Sequence, residues 1–240
     1  MLNDWSNLTF YPLGDSAIVL HFGDEIAPTI QQQISACAAY LDQNEFAGMR
    51  EYVPGYTTLT VFYNAWLTSK NGTHDPYDQA LQHLQTMLLR IKVDTAPNSK
   101  LWKVPVLYGE EFGPDLNFVA SHNYLSPEEV ISIHTAADYL IYMIGFAPGF
   151  PYLGGMSEKI AVPRRATPRS AVPAGSVGIA GNQTGIYPIP TPGGWQIIGR
   201  TPLSLFNPHR DPPVFMRAGD VVRFVPISPA EFADQQALAI

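Results

Sequence analysis

The sequence has 240 residues, 46% of them hydrophobic and 15% charged, with a net charge of −7, as in an ordinary globular protein of one large or two small domains. The acidic balance excludes a general nucleic-acid binder, which needs a basic footprint. A single cysteine, Cys37, excludes an intrachain disulfide and a multi-cysteine zinc site. The opening MLNDWSNLTF lacks the basic and apolar regions of a secretory signal. The longest apolar run, residues 139–150, is short and broken by Gly and Pro. A cytoplasmic protein without a membrane span is therefore expected.

Residues 7–13 and 16–22 read as two strands around a Gly14-Asp15 turn. Residues 28–42 read as a helix with the stripe Ile30, Ile34, Cys37, Ala38 and Leu41, and Cys37 on that stripe reads as core. Residues 50–53 and 57–63 read as two more strands around Pro54-Gly55. In the second of these, Thr58, Thr60 and Phe62 alternate with Leu59, Val61 and Tyr63. Residues 77–90 read as a second helix with Leu81, Leu84 and Leu88 on one face. The order ββαββα predicts an α+β fold, a two-layer domain over residues 1–92 with a four-stranded antiparallel sheet backed by two helices.

Residues 93–100, VDTAPNSK, read as a polar linker, and a second domain is expected over 101–240. It opens with a strand, LWKVPVLYG, and a short helix, GPDLNFVASHN. Ser126-Pro127-Glu128-Glu129 then starts a helix by a capping box with proline in its first turn. Short strands follow at 140–144, 176–180, 186–189, 195–199 and 221–227. Arg217-Ala218-Gly219-Asp220 reads as a hairpin turn, and residues 228–239 as a terminal helix. Many short strands with Gly/Pro turns point to a closed barrel or a sandwich.

The stretch 145–194 carries the most information. It holds 10 glycines and 8 prolines. Phe146, Phe150, Tyr152 and Tyr187 are interleaved, and Trp195 follows directly. Disordered Pro/Gly tracts lack such aromatics, so the chain here makes forced turns held by packing. Between Tyr139 and Arg210 there is one acid, Glu158, against six bases, Lys159, Arg164, Arg165, Arg169, Arg200 and Arg210. A basic segment on an acidic protein suggests a small anion or an acidic partner surface.

Arg164, Arg165 and Arg169 lie among Pro163, Pro168 and Pro173, which lower the cost of ordering a loop. Such arginines can fork onto a carboxylate or phosphate, or simply form a solvated loop tied to carbonyls. Folding is expected to survive their removal. The glycines around Gly149 and Gly194 either make tight bends or let backbone amides approach a ligand. His134 reads as a satisfied, partly buried histidine or as the local proton carrier. Gln183 and Tyr187 could read a polar ligand or close a turn. Ser176, in AGSVG, misses the G-x-S-x-G nucleophile pattern and reads as a strand or turn residue rather than a nucleophile. There is no Walker-type phosphate loop and no H-E-x-x-H. The catalytic candidates are His134, Arg165 and Arg169. The candidates for substrate or anion binding are Phe146, Gly149, Phe150, Tyr152, Arg164, Ser176, Gln183, Tyr187, Gly194, Trp195 and Arg200. No metal site is expected.

GFAPGFPYLGGM, PRRATPRSAVPAGSVGIAGNQTGIYPIPTPGGWQIIGRT and AGDVVRF resemble the family of bacterial 5-oxoprolinase B subunits, as do YGEEFGPDL and His134-Thr135. That family includes the Kip-type inhibitor of a sporulation histidine kinase and chains long called allophanate hydrolase subunit 1. One departure is Tyr108-Gly109-Glu110, where the family often has two glycines. The resemblance implies an α/β N-terminal domain and a cyclophilin-like β-barrel. It also implies direct partnership with the C subunit of 5-oxoprolinase, and joint action with its A subunit. Together they would open the lactam of 5-oxo-L-proline to L-glutamate with ATP as co-substrate and no other cofactor. The alternative it carries is a regulatory inhibitor that blocks autophosphorylation of a sensor histidine kinase.

Overall fold

The structure, a computed structural model, describes residues 5–91 and 99–238. The chain divides into two units, Met1–Asn98 and Ser99–Ile240. Most of the expected 93–100 linker, residues 93–98, lies outside the described residues.

In the first unit, β1 (Thr9–Pro12) and β2 (Ala17–His21) form the expected hairpin, with Gly14 at φ +65° in its turn. Helix α1 (Pro28–Leu41), β3 (Met49–Pro54) and β4 (Thr58–Tyr63) follow, then a four-residue helix α2 (Ala65–Thr68) that the sequence did not signal, and α3 (Pro76–Leu88). The strands pair antiparallel in the order β1-β2-β4-β3. Ile18 faces Val61 and Leu20 faces Leu59, so the alternating apolar sets of the two central strands fall on one face. Both helices cover that face. Ile34, Cys37 and Leu41 of α1 and Ala80, Leu84 and Met87 of α3 close the core. The innermost α3 residues are thus Ala80 and Met87 beside Leu84, while Leu81 and Leu88 are only partly buried. Cys37 is fully buried and its thiol is pushed up to about 12 by burial, which leaves it inert.

The second unit is a closed barrel of seven strands, β5 (Leu101–Tyr108), β6 (Tyr139–Ile144), β7 (Pro151–Gly154), β9 (Ser176–Ala180), β10 (Gln183–Ile186), β12 (Gln196–Arg200) and β13 (Val221–Pro226). They pair in the order β10-β7-β6-β13-β5-β12-β9. Two further short strands, β8 (Arg169–Val172) and β11 (Thr191–Gly193), pair outside the barrel. β5 and β13 run parallel and the other barrel pairs are antiparallel. Val104, Val106, Ile141, Leu153, Val177, Ile179, Ile186, Ile198 and Phe224 form its core together with Val119 of α4 (Leu116–His122) and Val130 of α5 (Pro127–Thr135). Helix α5 carries the expected capping box, with Glu129 N–H on Ser126 Oγ at 3.1 Å and Ser126 N–H on Glu129 Oε2 at 2.7 Å. A terminal helix, α6 (Pro229–Leu238), ends the described chain, and Ser228 and Glu231 repeat the same box at its start.

The structure differs from three of the expectations. The strand expected at 186–189 is Gln183–Ile186, because residues 187–190 leave the barrel through two prolines. The strands β7, β8 and β11 went unseen, since Pro and Gly mask them. Residues 217–220 make a turn but not a hairpin. Gly219 N–H pairs with Ile141 O, and the following β13 joins β5 and β6.

Candidate functional site

Three segments meet on the outside of the barrel. They are the 145–150 loop between β6 and β7, the arginine loop before β8, and the end of β11. Phe150, 2% exposed, is their hub. Its ring centroid lies 5.4 Å from Phe146, 5.0 Å from Tyr152, 5.5 Å from Tyr187 and 5.7 Å from Trp195, each near edge-to-face. Glycine makes this packing possible where rings meet backbone. A Cβ on Gly193 would stand 2.5 Å from Tyr187 Oη, and one on Gly185 would stand 3.0 Å from the Phe150 ring. Gly149, at φ +83°, instead lets its loop pack against Phe206 and Val214.

Backbone bonds fasten the arginine loop to this cluster. Arg165 N–H donates to Gly194 O at 2.8 Å, and Arg169 pairs with Gly193 in the β8–β11 register. Both guanidinium groups then turn onto one carboxylate. Asp115 Oδ1 accepts from Arg165 Nη1 at 3.0 Å and from Arg169 Nη2 at 2.8 Å. Its Oδ2 accepts from Ile197 N–H at 2.6 Å, while Asp115 N–H donates to Ile197 O at 2.9 Å. The Asp115 side chain is 7% exposed, and those of Arg165 and Arg169 are 37% and 24% exposed. The sequence reading missed Asp115. Its only signal was an acid after Pro114, in a segment remote in sequence from the basic stretch.

Arg164 differs from its neighbours. It is exposed and, among the described residues, makes no hydrogen bond or ion pair. Burial raises the Tyr152 phenol, and the Arg164 charge opposes that rise. The Tyr187 phenol is likewise raised by burial, against a backbone hydrogen bond from Trp195 and the charges of Arg164 and Arg169. Two of the three guanidinium groups share the Asp115 carboxylate and Arg164 has no carboxylate of its own among the described residues, so the cluster keeps a net positive charge.

His134 lies in the barrel core, fully buried and stacked on Phe224. Thr184 Oγ1 donates to Gly178 O, so it accepts from His134 Nε2–H at 2.9 Å. Nδ1 then accepts from the Tyr108 hydroxyl at 2.8 Å. Burial lowers its imidazole to about 3. A neutral ring with both nitrogens engaged, walled in by the core, has no path to a bound molecule, and the satisfied-histidine reading fits it. Ser176 is buried in β9 with its hydroxyl enclosed and unpartnered among the described residues. Arg200 faces it in the β9–β12 register, with its guanidinium 5.5 Å above the Phe112 ring. Gln183 is half-buried at the β9–β10 turn. The structure therefore joins Phe146, Phe150, Tyr152, Tyr187, Gly194, Trp195 and the three loop arginines. It leaves His134 outside that group, with no ring contact or hydrogen bond to any member.

Residues 8–216 match the family model described as carboxyltransferase domain, subdomain C and D. The chain is 51% identical over 223 residues to the 5-oxoprolinase B subunit of Bacillus subtilis, covering 92% of this chain and 93% of that protein. The chain belongs to the family of 5-oxoprolinase B subunits. It is 42% identical to the protein of the same description from Escherichia coli O157:H7, covering 90% of this chain and 94% of that one. The crystal structure of TTHA0988 superposes with a TM-score of 0.77 at 33% identity, over 88% of this chain and 40% of that longer one. The barrel is the cyclophilin-like barrel expected of the family.

Chemically, the cluster offers fixed positive charge beside an aromatic surface. That combination suits a small anion with an apolar body. Among the described residues, no group of three or more His, Cys, Asp or Glu side chains could hold a metal ion. No described helix is long and apolar enough to cross a membrane.

Proposed function

We propose that this chain is the B subunit of an ATP-dependent 5-oxoprolinase, which works in the cytoplasm with the enzyme's A and C subunits to open 5-oxo-L-proline to L-glutamate. The observation that carries this reading is the 51% identity across 93% of a Bacillus subtilis protein of that description. A lactam amide is unreactive, and transfer of a phosphoryl group to its oxygen makes it a leaving group. Such a site must hold clustered negative charge, which fixed arginines and backbone amides do without reorganisation. The arginine loop and its aromatic floor supply those features here. The sequence has no Walker-type nucleotide loop and its one buried histidine is enclosed. The partners would therefore supply the nucleotide site and the proton transfers. The domain boundary is proposed to fall at the polar 93–100 segment. The test is glutamate formation from 5-oxoproline by the assembled subunits, with this chain present or omitted.

A further inference from the structure

Building on the 5-oxoprolinase reading, we infer that Arg164, rather than Arg165 or Arg169, grips the substrate carboxylate, and that Phe146 forms the apolar wall against the lactam ring. Three arginines within six residues look interchangeable in sequence. The fold gives them different work. Arg165 and Arg169 are spent on Asp115, whose carboxylate is almost fully buried. Turning either onto a ligand would leave a buried charge short of a partner, which is costly. They are positioning residues: they hold the loop to β12 through Asp115 and Ile197.

Arg164 follows Pro163, whose carbonyl accepts from Gln196 Nε2 at 3.0 Å, and precedes Arg165, whose N–H is tied to Gly194 O. Its backbone is thus anchored on both sides while its guanidinium stays free. A guanidinium on an anchored backbone, with no hydrogen-bond partner among the described residues, can bind a carboxylate in two-point fashion.

Phe146 is the second unusual feature. It holds φ +63°, a left-handed conformation that is strained for a bulky residue, and it is 64% exposed. A relaxed loop would bury that ring or replace it by glycine. Here the ring is held outward, edge-on to Phe150 at 5.4 Å. Phe150 links the two features: Phe146 packs on its ring at 5.4 Å and Trp195 at 5.7 Å, and Trp195 follows Gly194, whose carbonyl holds the N–H of Arg165, the residue after Arg164. In 5-oxoproline the carboxylate stands on the carbon next to the ring nitrogen. A substrate of that shape needs a forked cation and a flat apolar wall, the two groups that Arg164 and Phe146 bring to this one cluster.

The experiment uses the assembled enzyme with wild-type chain, Arg164→Gln, Arg164→Lys, Phe146→Ala and Arg169→Gln. Steady-state kinetics in 5-oxoproline are measured with the partners at saturation, and the thermal midpoint of each chain is measured alone. Arg164→Gln should raise KM by about 10- to 100-fold, with kcat within about threefold and an unchanged midpoint. Arg164→Lys should recover only part of this, because it cannot fork. Phe146→Ala should raise KM by about 3- to 10-fold. Arg169→Gln should instead lower the thermal midpoint. An active wild-type complex with an unmoved KM in Arg164→Gln overturns the assignment alone. So does an Arg164→Gln defect that vanishes as the partners are raised in concentration, which would place Arg164 at a docking surface. A wild-type complex that forms no glutamate overturns the 5-oxoprolinase reading, and this assignment with it.

Discussion

Arg169 Nη2 and Asp115 Oδ1 lie 2.8 Å apart across 54 residues of sequence, and this pair ties the arginine loop to the barrel. The same carboxylate also holds Arg165 and the β12 backbone at Ile197. The basic loop is therefore part of the fold as well as part of the surface.

Asp115→Asn should destabilise the second unit by about 1–3 kcal/mol, less than for a fully buried pair because both arginines keep some solvent. Two guanidinium groups would face each other without their shared anion. Urea unfolding checks this, and a variant as stable as wild type would show that the pair carries no weight.

Arg165→Ala and Arg169→Ala are each expected to lower the thermal midpoint as well as activity. This departs from the expectation that folding survives their removal, since the sequence did not reveal their common partner. Each loss leaves Asp115 with one charge partner fewer, at a cost of about 1–3 kcal/mol. Thermal melts of the two variants, run beside Arg164→Ala, should move for the pair and not for Arg164.

Gly113→Ala should be among the most damaging single changes in the chain. A Cβ at that position would overlap the Ile198 carbonyl of β12, which is backbone and cannot swing away. The resulting shift would carry Asp115, two residues on, off its arginines. The expected result is a loss of about 3 kcal/mol or more, or no soluble protein. A well-folded Gly113→Ala chain with an unchanged midpoint contradicts the packing described.

Acid should weaken the barrel through His134. Burial lowers its imidazole to about 3, whereas the unfolded chain takes up a proton near the ordinary 6.5. Above about pH 6.5 both states are neutral at this group and it adds no pH dependence. Below that, only the unfolded state binds the proton, so stability falls by about 1.4 kcal/mol per pH unit until the folded value is reached. Between pH 7 and 5 the wild type should lose about 2 kcal/mol more than His134→Gln, which does not titrate. Equal losses in the two chains would rule out a neutral buried histidine.

Much of the architecture could be read from the residues. The alternation of Leu59, Val61 and Tyr63 and the Ser126–Glu129 box are local patterns, and each appears where the chain predicts it. The arginine loop, the glycines and the aromatics were likewise visible as a group. What escaped was long-range. Nothing local to Arg165 names Asp115 as its partner, and nothing local to His134 says that Tyr108 and Thr184 close around it. Strands such as Pro151–Gly154 escaped because their β character comes from barrel pairing rather than from propensity.

This chain is proposed to be a necessary component of a 5-oxoprolinase. The most direct measurement is ATP-dependent glutamate release from 5-oxoproline by the purified components, with each omitted in turn. Glutamate is expected from the full set, none from this chain alone, and none when this chain is left out. Undiminished release from the partners without this chain would contradict it.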